Sequence, residues 1–153
     1  MKSAEDLLNE KGAEVISVSK ETTLFNATRV MVENNIGALL VREGSSFVGI
    51  WTERDLLCGV ACEGLDLKTE TIGDHMVTKL KSVTHTDNIF QILDKLIGLK
   101  LRHILVVKNG DYIGILSERD VTRAALFEKS EEYSKLNNMV SWDYYEDWKW
   151  KKK

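Results

Sequence analysis

Gly49-Ile50-Trp51-Thr52-Glu53-Arg54-Asp55 returns as Gly114-Ile115-Leu116-Ser117-Glu118-Arg119-Asp120, 65 positions further along the chain. The register holds backwards without a gap. Leu40-Val41 falls on Leu105-Val106, Phe25 on Phe90, and Ser17-Val18 on Ser82-Val83. Agreement at one site by chance does not keep register from Ser17 to Asp55, so the chain contains two copies of one supersecondary unit.

Both copies read alike. Residues 15–18 and 80–83 form a short strand. Residues 22–34 form a helix with Leu24, Ala27 and Met31 at helical spacing. Residues 87–99 form its counterpart with Ile89, Leu93 and Leu96 inward. Apolar strands follow at 38–41 and 104–107. Proline is absent, so turns rest on Gly, Asn and Asp, here Gly44-Ser45-Ser46 and Asn109-Gly110-Asp111. Each turn leads to a second strand, 47–51 or 112–116, and a further helix begins at Thr52 or Ser117. The fold class is α+β: two β-α-β-β-α units packed as a pseudo-twofold pair. The organisation is an N-terminal helix and linker (1–14), a first copy (15–65), a linker (66–79), a second copy (80–128) and an aromatic C-terminal extension (129–153). Residues 3–11 form the N-terminal helix, and 72–76 a helical turn in the linker. A lone copy of about 60 residues buries a modest core. Two copies covering each other leave two related clefts between them, the places where small ligands bind.

Composition narrows the function. The net charge of −3 argues against binding nucleic acid through bulk positive charge. No apolar run approaches the roughly 20 residues of a membrane span, and the N-terminus lacks an apolar signal core. The expected location is therefore cytoplasmic, with no membrane partner. Cys58 and Cys62 are four apart on a helix and read as free thiols. Without neighbouring histidines they do not make a metal set. His75 and His85 lack partners at metal spacing. The expected metal and catalytic residues are none: there is no nucleophile with a base and no phosphate loop of the Gly-rich Lys-Ser/Thr type. Gly49 and Gly114 read as structural, allowing close approach at a strand end.

Thr52-x-x-Asp55 and Ser117-x-x-Asp120 fit a capping box, in which the side chains only start a helix. A second reading comes from the surrounding residues. Asn34-Asn35-Ile36-Gly37-Ala38-Leu39-Leu40-Val41 followed by Val48-Gly49-Ile50-Trp51-Thr52-Glu53-Arg54-Asp55 resembles the core of a CBS domain. So does Leu101-Arg102-His103-Ile104-Leu105-Val106-Val107 followed by Ile113-Gly114-Ile115-Leu116-Ser117-Glu118-Arg119-Asp120. The resemblance covers roughly residues 3–128 and is similar to bacterial stand-alone proteins made of one CBS pair. Both copies keep the family pattern Gly-apolar-x-Ser/Thr-x-x-Asp. One departure is Leu105, where the family often has proline after Arg-His.

The resemblance implies two interlocked units, often dimerised into a disc, that bind AMP, ADP or ATP, and less often S-adenosylmethionine. It places Asp55 and Asp120 on ribose hydroxyls, and Thr52 and Ser117 on ribose or phosphate. A carboxylate suits a diol because it accepts two charge-assisted hydrogen bonds. Arg54 and Arg119 add positive charge. The lead strands, with Ile16, Val18, Ser82 and Val83, meet adenine through backbone groups and apolar flanks. At the shared offset Arg102-His103 stands where the first copy has Gly37-Ala38. Both can reach a phosphate; alternatively Arg102 pairs with a surface acid and His103 is a satisfied, half-buried histidine. On this basis the cleft holding Ser117 and Asp120 is expected to be the better site. The expected function is a non-catalytic nucleotide-sensing module, a homodimer that signals to a regulated protein of unknown identity. The alternative is a ligand-independent interaction module. The tail Ser141-Trp142-Asp143-Tyr144-Tyr145-Glu146-Asp147-Trp148-Lys149-Trp150 is too aromatic for a disordered segment. It packs on its own subunit or a dimer mate, or it anchors a partner.

Overall fold

Helix α1 (Ala4–Lys11) begins the chain, and its limits are chemical. The Ser3 hydroxyl accepts from the Asp6 N–H while the Asp6 carboxylate accepts from the Ser3 N–H. Gly12 ends the helix in the left-handed region at φ 57°, which glycine enters without strain. The computed structural model describes residues 1–12 and 14–133; the aromatic stretch 141–150 lies outside them.

The two copies follow. The first is β1 (Ser17–Ser19), α2 (Leu24–Asn34), β2 (Ala38–Glu43), β3 (Ser46–Thr52) and α3 (Glu53–Cys58), which continues as one π-helical turn (Gly59–Glu63). After α4 (Ile72–His75) the second copy is β4 (Ser82–Thr84), α5 (Ile89–Gly98), β5 (His103–Lys108), β6 (Asp111–Ser117) and α6 (Glu118–Tyr133). Each forms one three-stranded sheet, β1-β2-β3 or β4-β5-β6, with the first pair parallel and the second antiparallel. Ser17 pairs with Leu40 and Ser82 with Leu105. Both sheets break register at equivalent places, Val41/Arg42 and Val106/Val107. The two sheets therefore correspond residue by residue at the offset of 65. The lead strands begin two residues later than the alternation of 15–18 and 80–83 suggests.

Apolar spacing explains the packing. On α2, Leu24, Ala27 and Met31 are buried as their period requires. On α5 the buried stripe is Ile89, Ile92 and Leu96, with Leu93 at its flank rather than at its centre. On β2, Leu39 and Val41 enter the core of the first copy, and on β5, Ile104 and Val106 enter that of the second. Leu40 and Leu105 belong to neither core yet are each only 1% exposed. Alternation turns them to the opposite face, toward the other copy.

Each core is completed from ahead of the other copy. Ala4 and Leu7 of α1 are buried in the second core, while Ile72 of α4 is buried in the first. Backbone bonds repeat the exchange. The Ala4 and Glu5 N–H groups donate to the Asp87 and His85 carbonyls at 2.8 and 3.0 Å; Ile72 and Gly73 donate to Thr22 and Lys20 at 2.8 and 2.9 Å. The acceptors are related by 65 positions and the donors by 68, so the interlocking is reciprocal. Gly49 and Gly114 make room for it. A Cβ at Gly49 would fall 2.2 Å from Sδ of Met76, and one at Gly114 would fall 2.7 Å from Cδ2 of Leu8.

Candidate functional site: two clefts between the copies

The first cleft, of about 220 Å³, joins Ile50, Thr52, Glu53, Arg54 and Asp55 of the first copy to Lys79, Lys81, Lys100, Leu101, Arg102, His103 and Leu105 from the linker and second copy. Thr52 is extended and caps α3. Its N–H and hydroxyl both donate to Oδ2 of Asp55 at 2.9 Å, and the Asp55 N–H returns a bond to its hydroxyl at 3.4 Å. The capping reading is therefore realised. It uses only Oδ2: no hydrogen bond within the chain engages Oδ1 among the described residues. Capping and ligand binding are compatible, because one carboxylate oxygen is held while the other stays available to a hydroxyl.

The second cleft, of about 530 Å³, joins Ile113, Gly114 and Ile115 of β6 to Ile16, Ile36, Ala38 and Leu40 of the first copy, with Glu5, Leu8, Asn9 and Lys11 of α1 on one side. The Ser117 N–H donates to Oδ2 of Asp120 at 2.9 Å, and the Asp120 N–H donates to Oγ of Ser117 at 3.1 Å. Here a third partner intervenes. Nζ of Lys11 donates to the same Oδ2 at 2.9 Å and to the Ile115 carbonyl at 3.3 Å. Lys11 lines the cleft and ties Asp120, which lies beyond the cleft lining, to it. Burial is the strongest single influence on Asp120 and acts to raise its pKa. The hydrogen bonds from Lys11 and Ser117 together outweigh it and hold the carboxyl below the usual range.

His103 lies on the wall of the first cleft, that of Asp55. It pairs with Ser117 on β6. Burial lowers its pKa most, the positive charges of Lys11 and Arg102 lower it further, and Asp120 opposes them. The site thus favours the neutral ring. The ring is half-buried at a cleft wall.

The sequence grouped these residues differently. Arg102 and His103 do not join Ser117 and Asp120; they line the cleft of Thr52 and Asp55. The reason is the exchange of faces: each cleft takes the strand end of one copy and the lead strands of the other. The two phosphate-reaching residues expected beside Asp120 therefore stand at the Asp55 cleft. Arg102 has no ion pair among the described residues, so the surface acid considered for it is not there. Arg54 lines the first cleft, whereas Arg119 lies exposed on α6 and, like Ser117 and Asp120, lines neither. Ile16 lines the second cleft. Val18 packs on the first core and Val83 is buried in the second, so their side chains face away from the clefts. Ser82 is half-buried beside Leu105 on β5. Sequence reasoning missed Lys11, Lys79, Lys81 and Lys100. Comparing the copies position by position would have found Lys81, which stands where the first copy has Ile16.

Two interlocked α+β repeats with two clefts between them define a paired-repeat module. Among the described residues no cluster of His, Cys, Asp or Glu is arranged to hold a metal ion, and no helix is long and apolar enough to cross a membrane. The chain belongs to the CBS domain family, whose model matches residues 4–61 and again 72–126. The two matches begin at Ala4 and Ile72, the first residues of the two exchanged segments. The chain is 31% identical over 148 residues to a mitochondrial CBS domain-containing protein, CBSX3, of Arabidopsis thaliana, covering 91% of this chain and 72% of that one. Among solved structures it resembles a CBS-domain containing protein from Agrobacterium tumefaciens, with 30% identity, TM-score 0.76, and 81% and 99% of the two chains covered. It also resembles a CBS domain protein from Pyrobaculum aerophilum that was solved in complex with AMP, with 28% identity, TM-score 0.70, and 83% and 97% covered.

Proposed function

We propose that this protein is a non-catalytic regulatory module that binds adenine nucleotides, AMP, ADP or ATP, in the clefts between its two copies and passes the occupancy on to a partner protein. The observation that carries this reading is the pair of equivalent carboxylates, Asp55 and Asp120. Each is fixed through Oδ2 to its own helix start while Oδ1 takes no bond within the chain. A rigid carboxylate oxygen at a cleft between two small units suits a ribose hydroxyl. The AMP complex of the Pyrobaculum aerophilum relative supports it. Signalling requires that the ligand favour one arrangement of the units over another, since only differential affinity shifts an equilibrium. We place the module in the cytoplasm as a homodimer.

Isothermal titration with AMP, ATP and S-adenosylmethionine tests the reading. Micromolar affinity for one of them, weakened at least about ten-fold in Asp55→Ala or Asp120→Ala, is the expected result; the loss of one charge-assisted hydrogen bond is worth about that much. Absence of heat with all three sinks it.

A second reading is an interaction module independent of ligand. Phe25 and Phe90 are 44% and 43% exposed, and Val32 and Ile97 are 60% and 68% exposed. Each pair is related by the offset of 65, so α2 and α5 present matched apolar positions. Sedimentation of Val32→Asp/Ile97→Asp separates the roles: a monomer that still binds nucleotide supports dimerisation through this face and keeps the sensor reading.

A further inference from the structure

The two clefts are built alike but charged differently. Comparison at the offset of 65 isolates the difference. Leu40 and Leu105, Ile36 and Leu101, and Ile115 and Ile50 are equivalent apolar walls of the two clefts. Elsewhere a neutral residue of the first copy faces a basic one of the second: Ile16 against Lys81, Asn35 against Lys100, Gly37 against Arg102, Ala38 against His103. The geometry supports these equivalences. Asn35 and Lys100 share a left-handed backbone at φ 52° and 53°. Gly37 and Arg102 accept the same bond, from the Glu53 and Glu118 N–H groups at 3.0 and 2.8 Å.

Arg54, Lys79, Lys81, Lys100 and Arg102 thus converge on the cleft of Asp55, opposed by Glu53 and Asp55. None of the five forms an ion pair among the described residues. In the other cleft the lining cations are Lys11 and Lys108, and both are already neutralised, Lys11 by Asp120 and Lys108 by Glu5. Unpaired like charges around one open cleft repel one another, and a polyanion relieves them.

We propose that the two clefts divide nucleotides by phosphate number: the Asp55 cleft selects a di- or triphosphate, and the Asp120 cleft accepts a nucleoside or monophosphate. This rests on the adenine-nucleotide reading above. Lys81, Lys100 and Arg102 are the selecting residues. All three are exposed at the mouth, so a phosphate chain leaving the ribose at Asp55 meets them in turn, and Arg102 can bind it in bidentate fashion.

Titration of the full chain with AMP, ATP and inorganic tripolyphosphate, each at 50 and 300 mM salt, tests this. In an Asp120→Ala background, ATP should bind at least about ten-fold more tightly than AMP at low salt, the worth of one charge-assisted hydrogen bond. The preference should shrink at high salt, since exposed charges are screened, and tripolyphosphate should compete with ATP. Lys81→Ile/Arg102→Gly, which installs the first copy's residues at those positions, should bring the ratio to about one by weakening ATP binding more than AMP binding. Lys81→Gln/Arg102→Gln gives the same reading with uncharged polar side chains kept at both positions, should the first variant fold poorly. Equal affinity for AMP and ATP, or a ratio unchanged in both variants, overturns the proposal and leaves the nucleotide reading standing. Tripolyphosphate binding without any response to AMP or ATP keeps the polyphosphate site and removes the nucleotide reading. Absence of binding by all three removes both.

Discussion

Single residues decide whether the clefts exist and how they are charged. Gly114 lets the Leu8 side chain lie against β6, and Gly49 does the same for Met76 on β3. Adding one methyl group forces these contacts apart. Gly114→Ala and Gly49→Ala should each destabilise the fold by about 1–3 kcal/mol, the usual penalty of overpacking. Gly98→Ala, at the end of α5 with open space around it, should instead be neutral or add roughly 0.5–1 kcal/mol. Urea midpoints of the three variants check this contrast. His103 offers a pH test. Its folded pKa lies below the ordinary value because of burial, Lys11 and Arg102. The fold thus favours the neutral ring, and that contribution is complete above about pH 6.5 and declines as pH falls through it. NMR titration should place the ring below the ordinary midpoint. Between pH 7.5 and 5.5 the wild type should lose more stability than His103→Gln; an equal loss would show that the ring is not the responsible group.

At the scale of elements, much of the architecture was legible. The repeat fixed two β-α-β-β-α copies, and apolar spacing marked α2 and its buried residues. The copied Ser/Thr-x-x-Asp pattern marked the starts of α3 and α6, where the structure shows the capping bonds. What could not be read was which segment packs on which copy. The exchange of α1 and α4 is set by contacts between residues more than 45 positions apart, such as Ala4 with Asp87 and Ile72 with Thr22, and periodicity carries no such information. For the same reason Arg102 was assigned to the wrong cleft. A direct check is available at these elements. Leu7→Ala on α1 and Ile72→Ala on α4 each empty a buried position and should each cost about 2–5 kcal/mol. In hydrogen exchange, Leu7→Ala should first expose amides of β4–β6 rather than those of β1–β3, although α1 precedes β1 in the chain. Ile72→Ala should show the reverse.

For the molecule as a whole, the two cores are separate in space but not in dependence. Each loses its lid if the other copy detaches, so neither is expected to melt alone. Calorimetry should show one transition, and Leu7→Ala and Ile72→Ala should move that same transition downward; two resolved transitions would count against the coupling. Such coupling also suits a sensor, because a ligand bridging a cleft touches both halves of one cooperative unit. The crossed arrangement has a further consequence for anyone who divides the chain. A cut in the linker after Glu63 yields two pieces, each carrying the cover of the other and lacking its own. Made separately, each piece should seek a second molecule of its own kind and settle as a symmetric swapped pair; mixed, the two should prefer one another and rebuild the native body from unlike halves.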